Sequence, residues 1–91
     1  MNSKTTYKFR QLLFELPKEA QILALKNYEL WKENHNHTSL NFKKITDVNP
    51  NDAIYSVRIG LHWRALGVYH KETHTIIWYW IGSHSEYNHI L

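Results

Sequence analysis

Two arginines on either side of a glycine are the residues in this sequence best suited to bind an anion. Arg58 and Arg64 flank residues 60–62 (Gly-Leu-His), which have the length of a hairpin loop between two β-rich segments. With that loop, Arg58 lies directly opposite Arg64 on one sheet face, where like charges destabilise a sheet by roughly 0.2–1 kcal/mol. Guanidinium groups hold phosphate in a bidentate fork, so the pair indicates a phosphate site. A two-residue loop would instead shift the register and leave both arginines as ordinary surface residues.

A second group of polar side chains follows the last β-rich segment, after Gly82. His84 and Tyr87 are three residues apart, so one helical turn would place them on the same face. Histidine titrates near neutral pH and can carry a proton, and tyrosine can donate a hydrogen bond or stack on a base. The alternative is a tail in which Tyr87 packs on the core and His84 is solvated.

Three further residues are candidates for binding an anion or a base. Lys43 and Lys44 are adjacent in a short β-rich segment, so they point to opposite faces and only one can join the arginines. Solvated lysines at a sheet edge are the simpler interpretation of both. Trp63 begins a strand and could stack on a base, although packing in the core is the simpler interpretation.

Composition excludes several other kinds of chemistry. The chain has no cysteine, which removes disulfide scaffolds, thiolate catalysis and cysteine zinc sites. Its seven histidines are scattered over loops and hairpin ends, so we predict neither a metal nor a cofactor. The formal charge of +3 permits an anionic partner without requiring one. No apolar run reaches the about 20 residues of a membrane span, and the polar N-terminus does not resemble a signal peptide. We therefore expect a cytoplasmic protein.

The hydrophobic pattern predicts the elements that position these residues. Ninety-one residues allow one domain, residues 1–91. Helical spacing from Thr5 or Thr6 to Leu16, and again from Pro17 to Trp31, predicts an antiparallel helix hairpin. Strand-like segments follow at residues 40–45, 54–60, 63–70 and 75–82. The prediction is an α+β fold, with the helix hairpin packed on an antiparallel sheet of three to four strands and a short C-terminal tail from Ser83.

The last predicted strand is apolar on both faces. Simple alternation puts two sets of side chains on opposite faces: Ile76, Trp78 and Trp80 on one, and Ile77, Tyr79 and Ile81 on the other. A strand that is covered on both sides is expected in the interior of a sheet, with one face against the helices.

Two segments of the chain resemble the RelE/ParE superfamily of type II toxins, and in particular its RelE/HigB-like mRNA interferase branch. One is the hairpin of residues 55–68, with Arg58, Gly60 and Arg64, and the other is residues 80–87, with the pattern Gly-x-His-x-x-Tyr. The helix–helix–sheet order and the segment at residues 40–45 also match, so the resemblance covers roughly residues 5–91.

The resemblance implies a toxin that an antitoxin protein neutralises, as a homo-oligomer or a toxin–antitoxin hetero-oligomer. RelE-like members cut mRNA on the ribosome without a metal, by attack of the 2′-OH on the adjacent phosphate. In this chain Arg58 and Arg64 would bind the phosphate, His84 would transfer the proton and Tyr87 would orient or stack a base. Lys43 or Lys44 would add charge at the rim.

The resemblance also leaves an alternative of another class. ParE-like members poison DNA gyrase and do not cut RNA, and an inactive relic of such a toxin would only bind its antitoxin. Ser56 stands where some RNA-cutting members have a basic residue, and the net charge of +3 is modest for a ribosome-dependent nuclease. Both features favour the alternative, whereas the arginine pair and His84 favour the nuclease.

Overall fold

The computed structural model describes residues 1–90, which form one mixed sheet and three helices. In chain order the elements are β1 (Asn2–Thr5), α1 (Tyr7–Glu15), α2 (Lys18–Glu33), β2 (Lys43–Asn49), β3 (Asp52–Ile59), β4 (Trp63–His70), β5 (Thr75–Ser83) and α3 (His84–Ile90). A short 3-10 turn at Thr38–Leu40 precedes β2. The strand order across the sheet is β1-β5-β4-β3-β2, and every pairing is antiparallel except that of β1 with β5.

The two N-terminal helices lie close to their expected positions. Thr6 precedes α1, and its Oγ1 accepts a hydrogen bond from the backbone N–H of Phe9 at 3.0 Å, which is an N-cap. Leu16 and Pro17 separate α1 from α2. Against the sheet, α1 packs on β5 and α2 on β3. The packing of the two helices on each other as an antiparallel hairpin stays a prediction.

Both ends of the chain differ from the prediction. The sheet has five strands rather than three to four, because residues 2–5 add to the edge of β5 as a parallel strand. Backbone hydrogen bonds hold them there, including one from Asn2 N to the carbonyl of His74 at 2.8 Å. Hydrophobic patterning could not reveal this strand, since its side chains are polar and mostly exposed. The predicted C-terminal tail is a helix, α3, over the residues described.

Simple alternation along β5 is wrong at one residue. Tyr79 has no partner in β4 and is the extra residue of a β-bulge between Trp78 and Trp80. Because of the bulge, Ile81 shares the core face with Trp78, whereas Trp80 turns to the opposite face. The interior position of β5 is confirmed, since β5 lies between β1 and β4.

The core lies between the helices and one face of the sheet, here called the helix face. Its buried members are Trp31, Leu40, Val57, Ile59, Ala65, Ile76, Trp78 and Ile81. Trp31 of α2 meets Trp78 of β5 edge-on, with ring centroids 5.6 Å apart. The opposite side of the sheet, here called the arginine face, carries Arg58, Arg64, Ser56, Leu66, Trp80 and Gly82.

Asp52 closes the turn between β2 and β3. Its carboxylate accepts hydrogen bonds from Asn49 Nδ2 at 2.9 Å and from the ring of His70. The hydrogen bond from Asn49 has the largest effect, followed by that from His70. Together they hold the pKa of Asp52 below its ordinary value. Asp52 therefore favours the folded state as a carboxylate, and this contribution depends on pH.

We expect Asp52→Asn to lower the melting temperature at pH 5 and the difference to vanish in acid. A depressed pKa in the folded state stabilises the fold above the unfolded Asp pKa of about 3.9. That stabilisation is lost as the pH falls through the folded-state value. Circular dichroism melts between pH 2.5 and 6 would measure it, with Asp47→Asn in the same hairpin as the control. A difference that stays constant down to pH 2.5 would contradict the assignment.

Candidate anion-binding site

The hairpin between β3 and β4 holds the two arginines directly opposite each other. Arg58 pairs with Arg64 and Ile59 with Trp63, which confirms the register expected from a three-residue loop. Gly60 has a φ of 62°, in the left-handed region that glycine adopts without a steric penalty. A Cβ at Gly60 would also lie 2.6 Å from Leu23 Cδ2, so an alanine here would strain the turn and displace the end of the Leu23 side chain.

The arginine pair is half-buried and mutually repulsive. Arg64 Nη1 donates to the carbonyl of Trp63 at 2.9 Å, and Arg58 Nε is buried without a hydrogen-bond partner among residues 1–90. Burial, and then the positive charge of Arg58, lower the pKa of Arg64, while Tyr87 acts in the opposite direction. The sheet therefore keeps two cations together at a cost, which a bound anion would offset.

The row of paired residues continues from Arg64 into β5. Gly82 lies opposite Arg64, and a Cβ at Gly82 would be only 2.5 Å from Cζ2 of Trp80. The indole of Trp80 thus occupies the place that a side chain of Gly82 would take. Trp80 could not be recognised as part of this site from the sequence, because the hydrophobic pattern does not reveal the bulge at Tyr79 that brings it to this face.

A capping box starts α3 and orients its side chains. Ser83 Oγ accepts from the N–H of Glu86 at 3.1 Å, and Glu86 Oε1 accepts from the N–H and the hydroxyl of Ser83 at 3.1 and 3.0 Å. The backbone N–H of His84 donates to the carbonyl of His62 at 2.7 Å, which ties α3 to the β3–β4 hairpin. The Ser-x-x-Glu spacing was a sequence signal for this helix, and our tail prediction overlooked it.

His84 and Tyr87 share one face of α3, as a helical turn predicts. Their rings lie nearly parallel, with centroids 6.3 Å apart and an interplanar angle of 18°. His84 is exposed, whereas Tyr87 is half-buried and near enough to Arg64 to affect its pKa. The structure therefore brings Arg58, Arg64, Tyr87 and His84 to one end of the sheet.

The two lysines separate as their adjacency predicts. Lys43 lies opposite Ser56, which precedes Arg58 by two residues, so Lys43 belongs to the arginine face. Lys44 instead forms an exposed ion pair with Asp47, with an Nζ–Oδ1 distance of 3.2 Å. The structure thus places Lys43, and not Lys44, on the face that carries the arginines.

Trp63 lies on the helix face. It neighbours Arg64 along β4, so its side chain points to the opposite side of the sheet. There it packs against the core and lines a shallow depression beside Leu23 of α2. The structure does not bring Trp63 to the arginines, and the interpretation as a packing residue fits its place.

Ser83→Ala tests whether the capping box holds α3, the helix that carries Tyr87. Loss of the capping hydroxyl is expected to destabilise the helix by about 1 kcal/mol. Amide exchange should accelerate in residues 84–90, while exchange in β3 and β4 stays as in the wild type. Ser85→Ala is the control, since Ser85 is exposed in the same helix and lies outside the capping box. Unchanged exchange in Ser83→Ala would show that the box does not hold α3.

Within residues 1–90, His, Asp and Glu side chains form no group of three or more that could hold a metal ion. In the same part of the chain no helix has both the length and the apolar character to cross a membrane.

The fold and the cationic sheet face define a small RelE/ParE-like toxin domain. A crystal structure of the archaeal RelE–RelB complex from Pyrococcus horikoshii OT3 contains a similar chain, with a TM-score of 0.71. The match covers 90% of this chain and 92% of that chain at 14% sequence identity, which is a likeness of fold. The chain belongs to the ParE-like toxin domain family, whose model matches residues 18–89. No curated protein sequence matches the chain significantly. Membership in the RelE/ParE superfamily, predicted from the two segments, is confirmed.

Proposed function

We propose that this protein is the toxin of a type II toxin–antitoxin system and that it cuts mRNA on the ribosome, in the cytoplasm. The observation that carries the proposal is the placement of Arg58 opposite Arg64, beside Tyr87 and His84. A phosphodiester carries the negative charge that would compensate the two positive arginines. The His–Tyr pair can transfer protons beside it. Family membership supports the role of a toxin.

The proposed reaction uses a nucleophile from the RNA itself. The 2′-OH attacks the adjacent phosphorus, and the bond from phosphorus to the 5′ oxygen breaks. The 5′ oxygen takes a proton from water, and the products are a 2′,3′-cyclic phosphate and a 5′-OH end. His84 accepts the proton of the 2′-OH, a contribution of ~10²–10⁴ in rate for general acid–base catalysis. Arg58 and Arg64 stabilise the charge that develops on the phosphorane. Tyr87, which lies parallel to His84, orients the RNA by a hydrogen bond or by stacking.

An antitoxin protein is part of the proposal. The similar archaeal structure is a RelE–RelB complex. In this chain a mostly apolar cleft of about 260 Å³ lies between the two N-terminal helices and the sheet. Leu25, which lines the cleft, is 62% exposed, and Phe14 of α1 is 73% exposed. We expect an antitoxin segment to cover this surface, and co-expression with the neighbouring reading frame would test it by co-purification.

A gyrase poison is the second candidate, and Ser56 favours it. Ser56 lies on the arginine face and is only 3% exposed, so this position supplies no third cation to an RNA. The family model that matches the chain is also described as ParE-like. A relic that only binds its antitoxin is the remaining alternative.

Two measurements after expression distinguish these functions. Mapping of mRNA 5′ ends is expected to show new ends within translated codons, and gyrase supercoiling with the purified protein is expected to be unchanged. Arrest of growth without new 5′ ends would overturn the nuclease. Inhibited supercoiling would then identify a gyrase poison, whereas normal growth with neither effect would identify a relic.

A further inference from the structure

We infer that Trp80 is the platform on which a nucleobase of the single-stranded RNA stacks, next to the phosphate held by Arg58 and Arg64. This inference rests on the proposed function and adds to it the residue that recognises the base. It follows from where the β-bulge, Gly82 and α3 place one indole ring.

The ring of Trp80 lies beside the arginine pair. Trp80 and Gly82 share one face of β5, and their partners in β4 are Leu66 and Arg64. The position of a Cβ on Gly82 is 2.5 Å from Cζ2 and 2.8 Å from Cη2 of Trp80, so the benzene edge of the indole lies over Gly82. Neighbouring strands are about 4.8 Å apart. The aromatic ring is therefore one strand away from Arg64.

The groups around the ring are ordered before any ligand binds. Glu86 Oε1 lies 3.2 Å from the same Cβ position, and the capping box with Ser83 fixes that carboxylate. Opposite Trp80, Leu66 is fully buried. Trp80 itself is half-buried, so part of the indole reaches the solvent. An ordered aromatic ring loses little conformational entropy when a base stacks on it.

The bulge assigns this role to Trp80 and not to another tryptophan. If Tyr79 instead took a regular place in the pairing with β4, alternation would put the indole of Trp80 on the helix face with Trp78. Bulges that re-aim a side chain are common next to active sites. Trp31 and Trp78 are each only 4% exposed, and Trp63 is on the helix face. Trp80 is the tryptophan that combines exposure with the arginine face.

The test is the binding of short 2′-O-methyl RNA oligonucleotides, which cannot be cleaved by 2′-OH attack. One set carries a single abasic residue at each position in turn. The wild type is expected to bind about 5- to 100-fold more weakly when the abasic residue occupies the platform, the usual range for one base–aromatic stack. Trp80→Leu should weaken binding of the intact oligonucleotide similarly and lose the discrimination. Trp80→Phe, which keeps a flat ring, should retain it.

Gly82→Ala provides a second variant, in which Trp80 itself is unchanged. Its Cβ would overlap the indole and force it away from Arg64, so the discrimination should fall although Trp80 is present. Circular dichroism identifies which variants fold. If Trp80→Leu does not fold, Trp80→Phe and Gly82→Ala are sufficient to test the inference.

The outcomes separate this inference from the proposed function. If Trp80→Leu or Gly82→Ala discriminates as the wild type does, or if the wild type binds no oligonucleotide, the stacking role is overturned. In either case 5′-end mapping judges the nuclease independently. If Arg64→Ala binds as tightly as the wild type, the phosphate position beside the platform is overturned, whereas 5′-end mapping alone decides whether the protein is a nuclease.

Discussion

Arg64→Ala is expected to reduce the rate of mRNA cleavage by about 10²–10³-fold, the usual loss when one preorganised group that stabilises transition-state charge is removed. Arg64 is the better ordered of the two arginines, because its Nη1 donates to the carbonyl of Trp63 at 2.9 Å. It also lies next to Tyr87, so in the proposed reaction it would link the bound phosphate to the proton-transfer groups. Arg64→Lys keeps the charge but not the bidentate fork, and its rate should lie between those of the alanine variant and the wild type.

Arg10→Ala is the matched control for Arg64→Ala. Arg10 also makes side-chain hydrogen bonds, from Nη1 to Thr5 O and Thr5 Oγ1 at 2.9 Å each, but it lies in α1. Both variants lose one positive charge, so a general electrostatic effect on RNA binding would appear in both. Cleavage of a translated mRNA in a reconstituted system measures the rates. Equal rates for the two variants would contradict the role of Arg64 in catalysis.

The stability of Arg64→Ala should move in the other direction from its activity. Removing one member of a like-charged cross-strand pair relieves a repulsion worth roughly 0.2–1 kcal/mol. Thermal melts should therefore show a fold as stable as the wild type or slightly more stable. A variant that is inactive but not destabilised has lost a functional group rather than its structure.

Trp31→Ala is expected to lower the free energy of unfolding by about 3–5 kcal/mol, the usual loss for truncating a buried tryptophan. Small domains have only about 5–15 kcal/mol in total. Trp31 is 4% exposed, and its ring contacts those of Trp78 at 5.6 Å and Phe42 at 5.8 Å between centroids. It is therefore a main contact through which α2 packs on the core.

Urea unfolding followed by circular dichroism would measure the effect. Leu25→Ala is the control in the same helix, since Leu25 is 62% exposed and its truncation should change the stability by less than about 0.5 kcal/mol. Trp31→Phe should lose less than Trp31→Ala, because it keeps a ring and removes an indole N–H that is buried without a partner among residues 1–90. A loss below about 1 kcal/mol in Trp31→Ala would show that the cleft beside Trp31 collapses around the smaller side chain.

Particular residues show how far sequence reasoning reached. The pairing of Arg58 with Arg64 followed from a three-residue loop at Gly60, because hairpin register depends on residues close in the chain. The start of the first helix could also be predicted, because an N-cap depends on residues that are close in the chain. Thr6 is the N-cap, and α1 begins at the next residue. The capping box of Ser83 and Glu86 was equally local, and α3 could have been predicted from it.

Other features depend on contacts between distant segments. The polar strand at residues 2–5 exists because β5 offers it a free edge. Likewise, the face on which Trp80 lies depends on a bulge in the pairing of β5 with β4. Similar alternating patterns fit a strand with or without such a bulge, so the hydrophobic pattern could not distinguish the two.

By itself the sequence determined the α+β class, the toxin superfamily, the two N-terminal helices and the arginine hairpin. Hydrophobic period, capping residues and loop length act over a few residues and can be read directly. Only the tertiary structure decided that Lys43 rather than Lys44 lies on the arginine face, that Trp63 faces the helices and that Trp80 lies beside Arg64. Each of these outcomes concerns which face of the sheet a side chain occupies. That face depends on how whole strands pair across the sheet.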